Sequence, residues 1–126
     1  MTKSFLEHVN ITVSDPLAAG KIIADIFGWD IRWQGEAISG GMSCHVGNAE
    51  SYIAFYSKGG RQKATDRYET PGALNHVGVV VDDLEATEKR VRAAGYASHS
   101  HADYVPGRRF YFDAMDGVEF EVVSYA

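Results

Sequence analysis

The sequence is most limited in cysteine, since Cys44 is the only one among its 126 residues. One cysteine excludes an internal disulfide and any zinc site built from several thiolates. No apolar run approaches the roughly 20 residues that a membrane-spanning helix requires, so the sequence predicts no transmembrane segment. The chain passes from its first residues straight into a strand-like segment, without the apolar core of a signal peptide. We therefore expect a cytoplasmic, reducing location.

Blocks of like charge are also missing. The formal net charge is −5, and the basic residues are interspersed with acidic ones. This distribution argues against nucleic acid and against anionic membrane surfaces as partners. Apolar residues make up 45% and charged residues 23% of the chain, which is the composition of an ordinary globular protein. The length suits one domain, 1–126.

An internal repeat organises what is present. The segment Leu74–Asp83 sets one histidine, His76, in an apolar strand-like run and ends on acidic residues that can cap a helix. The segment Leu6–Asp15 follows the same plan with His8, 68 positions earlier. A repeated unit of this kind indicates two modules with the same local structure.

The pattern of each half predicts the order β-α-β-β-β. Apolar alternation predicts the strands, and a helical stripe between the first two strands predicts one helix in each half. Gly28 and Gly95, 67 positions apart, end the two helices. We assign module one to 1–57, a polar linker to 58–72 and module two to 73–126, which gives an α+β fold of two tandem βαβββ modules.

Register between the modules predicts a chemical site. His8 is matched by His76, and Glu121 is matched by Ala54 in module one. If the modules pack about a pseudo-twofold axis, these positions converge on one cavity. Two imidazoles and one carboxylate with open positions suit a divalent transition metal that also holds substrate or water.

Three segments give the chain a resemblance to a known family. They are His8–Val13, Asn75–Val79 and the aromatic strand with its Asp-Gly turn and glutamate, Phe110–Glu121. Together they resemble the vicinal oxygen chelate superfamily, which includes glyoxalase I, extradiol dioxygenases, fosfomycin resistance thiol transferases and bleomycin resistance proteins. The resemblance implies that the modules form a cupped mixed sheet with the helices outside. It also implies metal ligation by His8, His76 and Glu121.

One position departs from glyoxalase I, which uses a fourth ligand, a glutamate, where this chain has Ala54. The three-ligand set looks more like the dioxygenase and fosfomycin branches. Tyr111 lies ten residues before Glu121, where both branches often place an active-site tyrosine. Its phenol suits a hydrogen bond to an oxyanion or an acid role, although a cavity wall is the simpler reading.

Two further groups are open to alternative readings. His99 and His101 could supply the catalytic histidine that extradiol enzymes usually carry. Strict alternation, however, places both on one face of an edge-like strand, where solvent exposure is favoured. Arg108 and Arg109 could clamp a substrate carboxylate or form a solvated loop tip.

The sequence thus supports two functional hypotheses. In the first, the protein is a lyase, dioxygenase or thiol transferase in which Fe, Mn, Ni or Zn acts as Lewis acid on a small substrate with vicinal oxygens. Its catalytic residues are Tyr111 and Glu121. In the second, it is a non-catalytic binding protein whose ligand lies between aromatic walls such as Trp33, Tyr52 and Phe110. We expect a homodimer in either case, and the sequence leaves open whether one site uses one chain or two.

Overall fold

Strands and helices follow the same order in both halves of the chain. The computed structural model describes residues 3–37, 40–59, 66–104 and 107–126. It divides into two compact units, Met1–Arg61 and Gln62–Ala126. The first contains β1 (His8–Thr12), α1 (Pro16–Phe27), β2 (Asp30–Glu36), β3 (Met42–Gly47) and β4 (Tyr52–Ser57). The second contains β5 (Val77–Val80), α2 (Leu84–Ala93), β6 (Ser98–Tyr104), β7 (Gly107–Asp113), a 3₁₀ turn (Met115–Gly117) and β8 (Glu119–Ser124). The predicted α+β fold of two tandem βαβββ modules is confirmed.

Part of the predicted linker, 58–72, lies outside the described residues, namely 60–65. The C-terminal part of the linker, 66–72, contains a turn that begins at Asp66. The carbonyl of Asp66 accepts hydrogen bonds from the backbone amides of Glu69 and Thr70 at 3.0 and 2.9 Å. This turn precedes the second histidine, His76, which lies directly before β5.

Each unit forms a four-stranded mixed sheet, in the orders β1-β4-β3-β2 and β5-β8-β7-β6. The first strand pairs in parallel with the last strand of its unit. Asn10 pairs with Ala54 in one unit, and Gly78 pairs with Glu121 in the other. Asn10 and Gly78 are 68 positions apart and Ala54 and Glu121 are 67 positions apart, as in the sequence repeat. The two units therefore repeat the strand pairing as well as the sequence pattern.

Capping residues fix where the helices begin and end. Asp15 accepts a hydrogen bond from the amide of Ala18 at 3.2 Å, and Asp83 does the same for Ala86 at 3.0 Å. Gly28 closes α1 in the left-handed conformation, with φ of 69°, which costs glycine little. None of the described helices is long and apolar enough to cross a membrane.

Each helix packs on one face of its own sheet. In the first unit, α1 buries Ala19, Gly20, Ile23 and Ile26. A Cβ at Gly20 would lie 2.3 Å from the sulfur of Cys44 on β3, so only glycine allows the helix this close to the strand. Cys44 is fully buried and reduced, and burial raises the pKa of its thiol, as expected for a small apolar packing residue.

Phenylalanines dominate the core of the second unit. Phe110, Phe112 and Phe120 have no exposed surface, and the rings of Phe112 and Phe120 stack at 5.2 Å. The hypothesis that Phe110 forms a ligand wall is therefore wrong. Alternation along β7 puts Phe110 on the buried face of the sheet, and the other face is the partly exposed one. That opposite face carries the polar side chains of the candidate site.

Candidate functional site

Three side chains form a continuous polar chain on the sheet of the second unit. His76 lies immediately before β5, and its Nε2 is 3.1 Å from Oε1 of Glu121 on β8. The other carboxylate oxygen, Oε2, accepts a hydrogen bond from Nη1 of Arg109 on β7 at 2.7 Å. The side chains of Arg109 and Glu121 are only 13% and 14% exposed. Glu121 is therefore held from both sides in a largely water-excluded position.

The second ring nitrogen of His76 adds a chemical feature to this chain. Its Nδ1 is buried and has no hydrogen-bond partner among the described residues. Buried imidazole nitrogens without a partner are uncommon in proteins, because they lose the hydrogen bonds that water would make. An imidazole and a carboxylate oxygen about 3 Å apart also match neighbouring ligands of one cation at bond lengths of about 2.1 Å. The donors of His76 and Glu121 therefore fit a transition metal.

Tyr111 lies in the same row of side chains. It pairs with Glu121 across β7 and β8 and with His99 across β6 and β7. Its ring meets that of His76 edge-on at 5.6 Å and stacks with that of His99 at 6.2 Å. Tyr111, Glu121 and His76, all predicted from the sequence as site residues, thus lie together on one face of one sheet.

A bulge in β6 separates the two histidines that strict alternation had placed on one face. His99 pairs with Tyr111 and Ala102 with Arg109, so three steps along β6 match two along β7. Ser100, inside the bulge, has φ of 56°. His99 consequently lies on the Tyr111 face, whereas His101 lies on the helix face, where its Nε2 is 2.6 Å from Glu88 of α2. The one-face prediction is wrong because an extra residue reverses parity beyond a bulge.

His99 is part of a second cluster, which lies where β7 ends and β8 begins. Donor atoms of His99, Asp113 and Glu119 all lie within 4.8 Å of one another. The hydroxyl of Tyr68 donates a hydrogen bond to Glu119. That hydrogen bond, together with burial and nearby charge, raises the pKa of Tyr68 to about 12, so the phenol stays protonated at neutral pH.

In the first unit, the corresponding row of side chains consists mainly of aromatic rings and not of charged groups. His8 on β1 stacks on Tyr52 at 4.8 Å, and His45 on β3 stacks on the same ring at 4.7 Å. Trp33 on β2 continues the row beside His45 at 5.2 Å. The pKa of His45 is lowered, first by burial and then by the charges of His8 and Arg32, which favours the neutral imidazole.

His8 is held by its neighbour in sequence. Its Nδ1 lies 2.9 Å from Oε1 of Glu7, and its side chain is 43% exposed. Metal-binding histidines commonly use one ring nitrogen in this way and present the other to the metal. The local geometry of His8 therefore suits a ligand through Nε2. Since His8 belongs to the first unit, the three-residue set of His8, His76 and Glu121 stays a prediction.

A cavity of about 550 Å³ opens on the same face of the first sheet. Its size lies within the range of small-molecule sites, about 300–1,000 Å³. Its walls combine two large rings with polar groups and are formed by Asn10, Trp33, Glu36, Ala37, Ser43, His45 and Tyr56. Trp33 thus lines a cavity, as the binding hypothesis requires.

Several site residues are not among the predicted ones. The sequence assigned no role to Asp113, Glu119 or Tyr68, although alternation along β8 puts Glu119 on the same face as Glu121. Arg108 binds Glu85 of α2. Arg109 binds Glu121 instead, so the two adjacent arginines serve different faces of the sheet.

Comparison with protein families gives one match over most of the chain. The model of the glyoxalase/bleomycin resistance protein/dioxygenase superfamily matches residues 5–122. No curated protein sequence matches the chain.

Solved structures share the whole fold at low sequence identity. A glyoxylase/bleomycin resistance protein/dioxygenase domain from Frankia sp. EAN1pec has a TM-score of 0.81 and 22% identity, covering 98% of each chain. FosX, a fosfomycin resistance protein from Listeria monocytogenes complexed with Mn(II) and sulfate, has a TM-score of 0.72 and 19% identity, covering 98% of this chain and 93% of its own. TnmS3, an antibiotic binding protein from Streptomyces sp. CB03234, has a TM-score of 0.73 and 19% identity, covering 100% and 99%.

Proposed function

Since this chain belongs to the glyoxalase/bleomycin resistance protein/dioxygenase superfamily, we propose that it is a metal-dependent enzyme acting on a small molecule with vicinal oxygen atoms. The proposed ligands of the divalent cation are His8, His76 and Glu121. The observation that carries the proposal is the 3.1 Å approach of His76 Nε2 to Glu121 Oε1 in a largely buried part of the second sheet.

Each proposed ligand has a supporting local environment. Glu7 orients the ring of His8 through Nδ1, and Arg109 orients the carboxylate of Glu121. A structurally similar protein, FosX from Listeria monocytogenes, was crystallised with Mn(II), which makes Mn²⁺ a sensible first probe among Fe, Mn, Ni and Zn. The positive charge of Arg109 lies against this carboxylate and should weaken cation binding.

The chemistry of the proposed enzyme divides between the cation and the chain. A divalent cation supplies Lewis-acid stabilisation of negative charge on a substrate oxygen. The proposed role of Tyr111, whose ring meets that of His76 edge-on, is to donate a hydrogen bond to such an oxygen. Arg109 holds the carboxylate of Glu121 in place through its 2.7 Å hydrogen bond. The buried position of both side chains lowers the local permittivity, which strengthens the interactions with a charged oxygen.

The test is cation binding by the intact protein purified without chelator. Titration calorimetry with Mn²⁺, Fe²⁺, Ni²⁺ and Zn²⁺ should give one cation site per chain that is lost in His8→Ala, His76→Ala and Glu121→Gln. The matched control is His101→Gln, a histidine on the helix face of the same sheet as His76. A cation stoichiometry that is unchanged by all three substitutions would overturn the proposed ligand set.

We also propose a homodimer, with sedimentation velocity as its test. Mixing His8→Ala chains with Glu121→Ala chains then asks which chain supplies each ligand. Recovery of about half of the cation sites in mixed dimers indicates ligands from different chains. No recovery in dimers shown to have exchanged indicates sites within one chain.

A second candidate is metal-independent binding of a small organic ligand. It is favoured by the cavity of about 550 Å³ with Trp33 and Tyr56 in its walls, and by the neutralisation of Glu121 by Arg109. TnmS3, which shares the fold, is an antibiotic binding protein. A ligand screen followed by tryptophan fluorescence separates the candidates. The binding protein is favoured if tight ligand binding is unchanged by chelator and by His76→Ala but is weakened by Trp33→Ala.

A further inference from the structure

We propose that the second unit carries a separate site for a divalent cation, formed by His99, Asp113 and Glu119. Their donor atoms lie within 4.8 Å of one another. The proposed site shares no ligand with the set of His8, His76 and Glu121, so it goes beyond the proposed enzyme. It uses one imidazole and two carboxylates, a donor set that suits borderline divalent cations such as Mn²⁺, Fe²⁺ and Zn²⁺.

The bulge in β6 directs His99 toward this site. Nδ1 of His99 lies 2.9 Å from the hydroxyl of Ser100, the residue with φ of 56°. Nε2 is buried and makes no hydrogen bond within the described part of the chain. It faces Oδ1 of Asp113 at 3.5 Å, too far for a well-formed hydrogen bond. One nitrogen is thus fixed by a local hydrogen bond, and the other is presented without a partner, as in metal-binding histidines.

The two carboxylates are brought together by strand pairing. Asp113 and Glu119 are directly opposite each other at the closed end of the β7–β8 hairpin. Like charges in directly opposed positions destabilise a sheet. A cation between them would remove that repulsion, and ligand atoms of one cation lie about 3–4.2 Å apart at bond lengths of about 2.1 Å. Only small side-chain movements are therefore needed to close the observed set around one ion.

A second contact fixes Glu119 from outside the hairpin. Tyr68 donates its phenolic hydrogen to one oxygen of Glu119, and Arg67 donates to the carbonyl oxygen of Gly117 in the adjoining turn. The segment that precedes the second module therefore anchors one of the proposed ligands. A carboxylate bound by a phenol through one oxygen retains the other for a cation.

Solvent exposure sets the expected strength of the site. The side chains of His99 and Asp113 are 40% and 59% exposed. The cation would therefore keep several water ligands, which makes the site weaker than a fully protein-enclosed one and accessible to exchange with solvent.

Manganese titration of the full-length protein tests the proposal. Free Mn²⁺ is measured by electron paramagnetic resonance in Glu121→Gln protein, which removes a ligand of the other site. We expect one remaining site, weakened at least about tenfold by Asp113→Asn, His99→Gln and Glu119→Gln. The matched controls are Asp103→Asn, at the far end of β6, and His101→Gln, on its helix face. Neither should change the affinity.

A second readout guards against global effects of the substitutions. Bound Mn²⁺ should broaden the imidazole proton resonances of His99 well before those of His101, whose Nε2 is 2.6 Å from Glu88 on the helix side. The inference fails if Glu121→Gln protein binds no Mn²⁺, or if Asp113→Asn and Asp103→Asn bind it equally. If this site is absent but the site of His8, His76 and Glu121 binds a cation, only the present inference fails. If that site binds no cation but this one does, only the proposed enzyme fails.

Discussion

The buried ion pair between Arg109 and Glu121 gives the most demanding prediction. Arg109→Met removes the guanidinium and keeps a long apolar side chain in its place. Glu121 would then retain its charge at 14% exposure, with His76 as its remaining contact in this polar chain. Breaking a buried pair by removing one partner costs about 3–5 kcal/mol. Two unit charges about 4 Å apart at an effective permittivity of 20 give about 4 kcal/mol, which agrees.

The free energy of unfolding, measured by urea titration at pH 7, should therefore fall by about 3–4 kcal/mol in Arg109→Met. Glu121→Gln keeps the shape of the side chain and can still accept a hydrogen bond from His76, yet it removes the negative charge that faces Arg109. The double variant has neither charge buried. Its loss should be smaller than the sum of the two single losses by about 2–4 kcal/mol, and this difference measures the coupling.

Cation binding provides the functional half of this prediction. A unit positive charge about 5 Å from a dication costs about 1.7 kcal/mol even at the permittivity of water. Arg109→Met should therefore bind Mn²⁺ at least about tenfold more tightly at low ionic strength, and Mn²⁺ should restore part of its lost stability. Single losses under about 1 kcal/mol that simply add, or an unchanged Mn²⁺ affinity, would refute the electrostatic reasoning.

Two further predictions concern packing and pH. Gly20→Ala should lower the unfolding free energy by up to about 2 kcal/mol, because the steric contact with the sulfur of Cys44 outweighs a helix-propensity gain of about 1 kcal/mol. In a Cys44→Ala background the same change should be neutral or stabilising. A loss of equal size in both backgrounds would exclude this contact as the cause. Hydrogen bonds from Ser98, and then from His101, lower the pKa of Glu88 below its ordinary value of 4.5. The stability that this carboxylate contributes is present above about pH 4.5 and lost on acidification, so the stability difference between wild type and Glu88→Gln should shrink below that pH and stay constant above it.

The parts of the fold that the sequence predicted well are those governed by local rules. A helix cap needs a short side chain such as that of Asp15, and a left-handed helix end favours glycine at position 28. Apolar alternation predicted the strands, and the repeat gave the equivalence of Ala54 and Glu121. These features depend on neighbours within a few residues or on a pattern that occurs twice, so one sequence contains enough information to find them.

The parts that were missed depend on contacts distant in sequence. The bulge at Ser100 reverses the face on which each later residue of β6 lies. The residue types around Ser100 do not indicate that the strand contains an extra residue. Tyr68 reaches Glu119 across 51 positions. Arg109 and Arg108 are adjacent and chemically alike, and only the pleat of β7 sends one to Glu121 and the other to Glu85. Periodicity assigns a face to each residue, but it does not identify the partner on that face.

The first unit has Ala54 where the second unit has a carboxylate, and it differs from the second unit at one further related position. Ser43 pairs with Tyr56 as Arg109 pairs with Val123, so Ser43 is the repeat equivalent of Arg109. The first unit therefore lacks both members of the ion pair that the second unit buries. Losing the carboxylate alone would have left a buried arginine without its partner, which is costly.

Restoring only the carboxylate should therefore be unfavourable. Ala54 is 2% exposed and lies beside His45, whose lowered pKa favours the uncharged form. Ala54→Glu should destabilise the protein by about 3 kcal/mol more than Ala54→Gln, which controls for volume. The excess should diminish as the pH is lowered toward about 4.5 and be absent below that pH, where the new carboxyl group is protonated in both the folded and the unfolded state. Equal losses in the two variants would mean that the first unit tolerates a negative charge here. The absence of a carboxylate at position 54 would then have no electrostatic explanation.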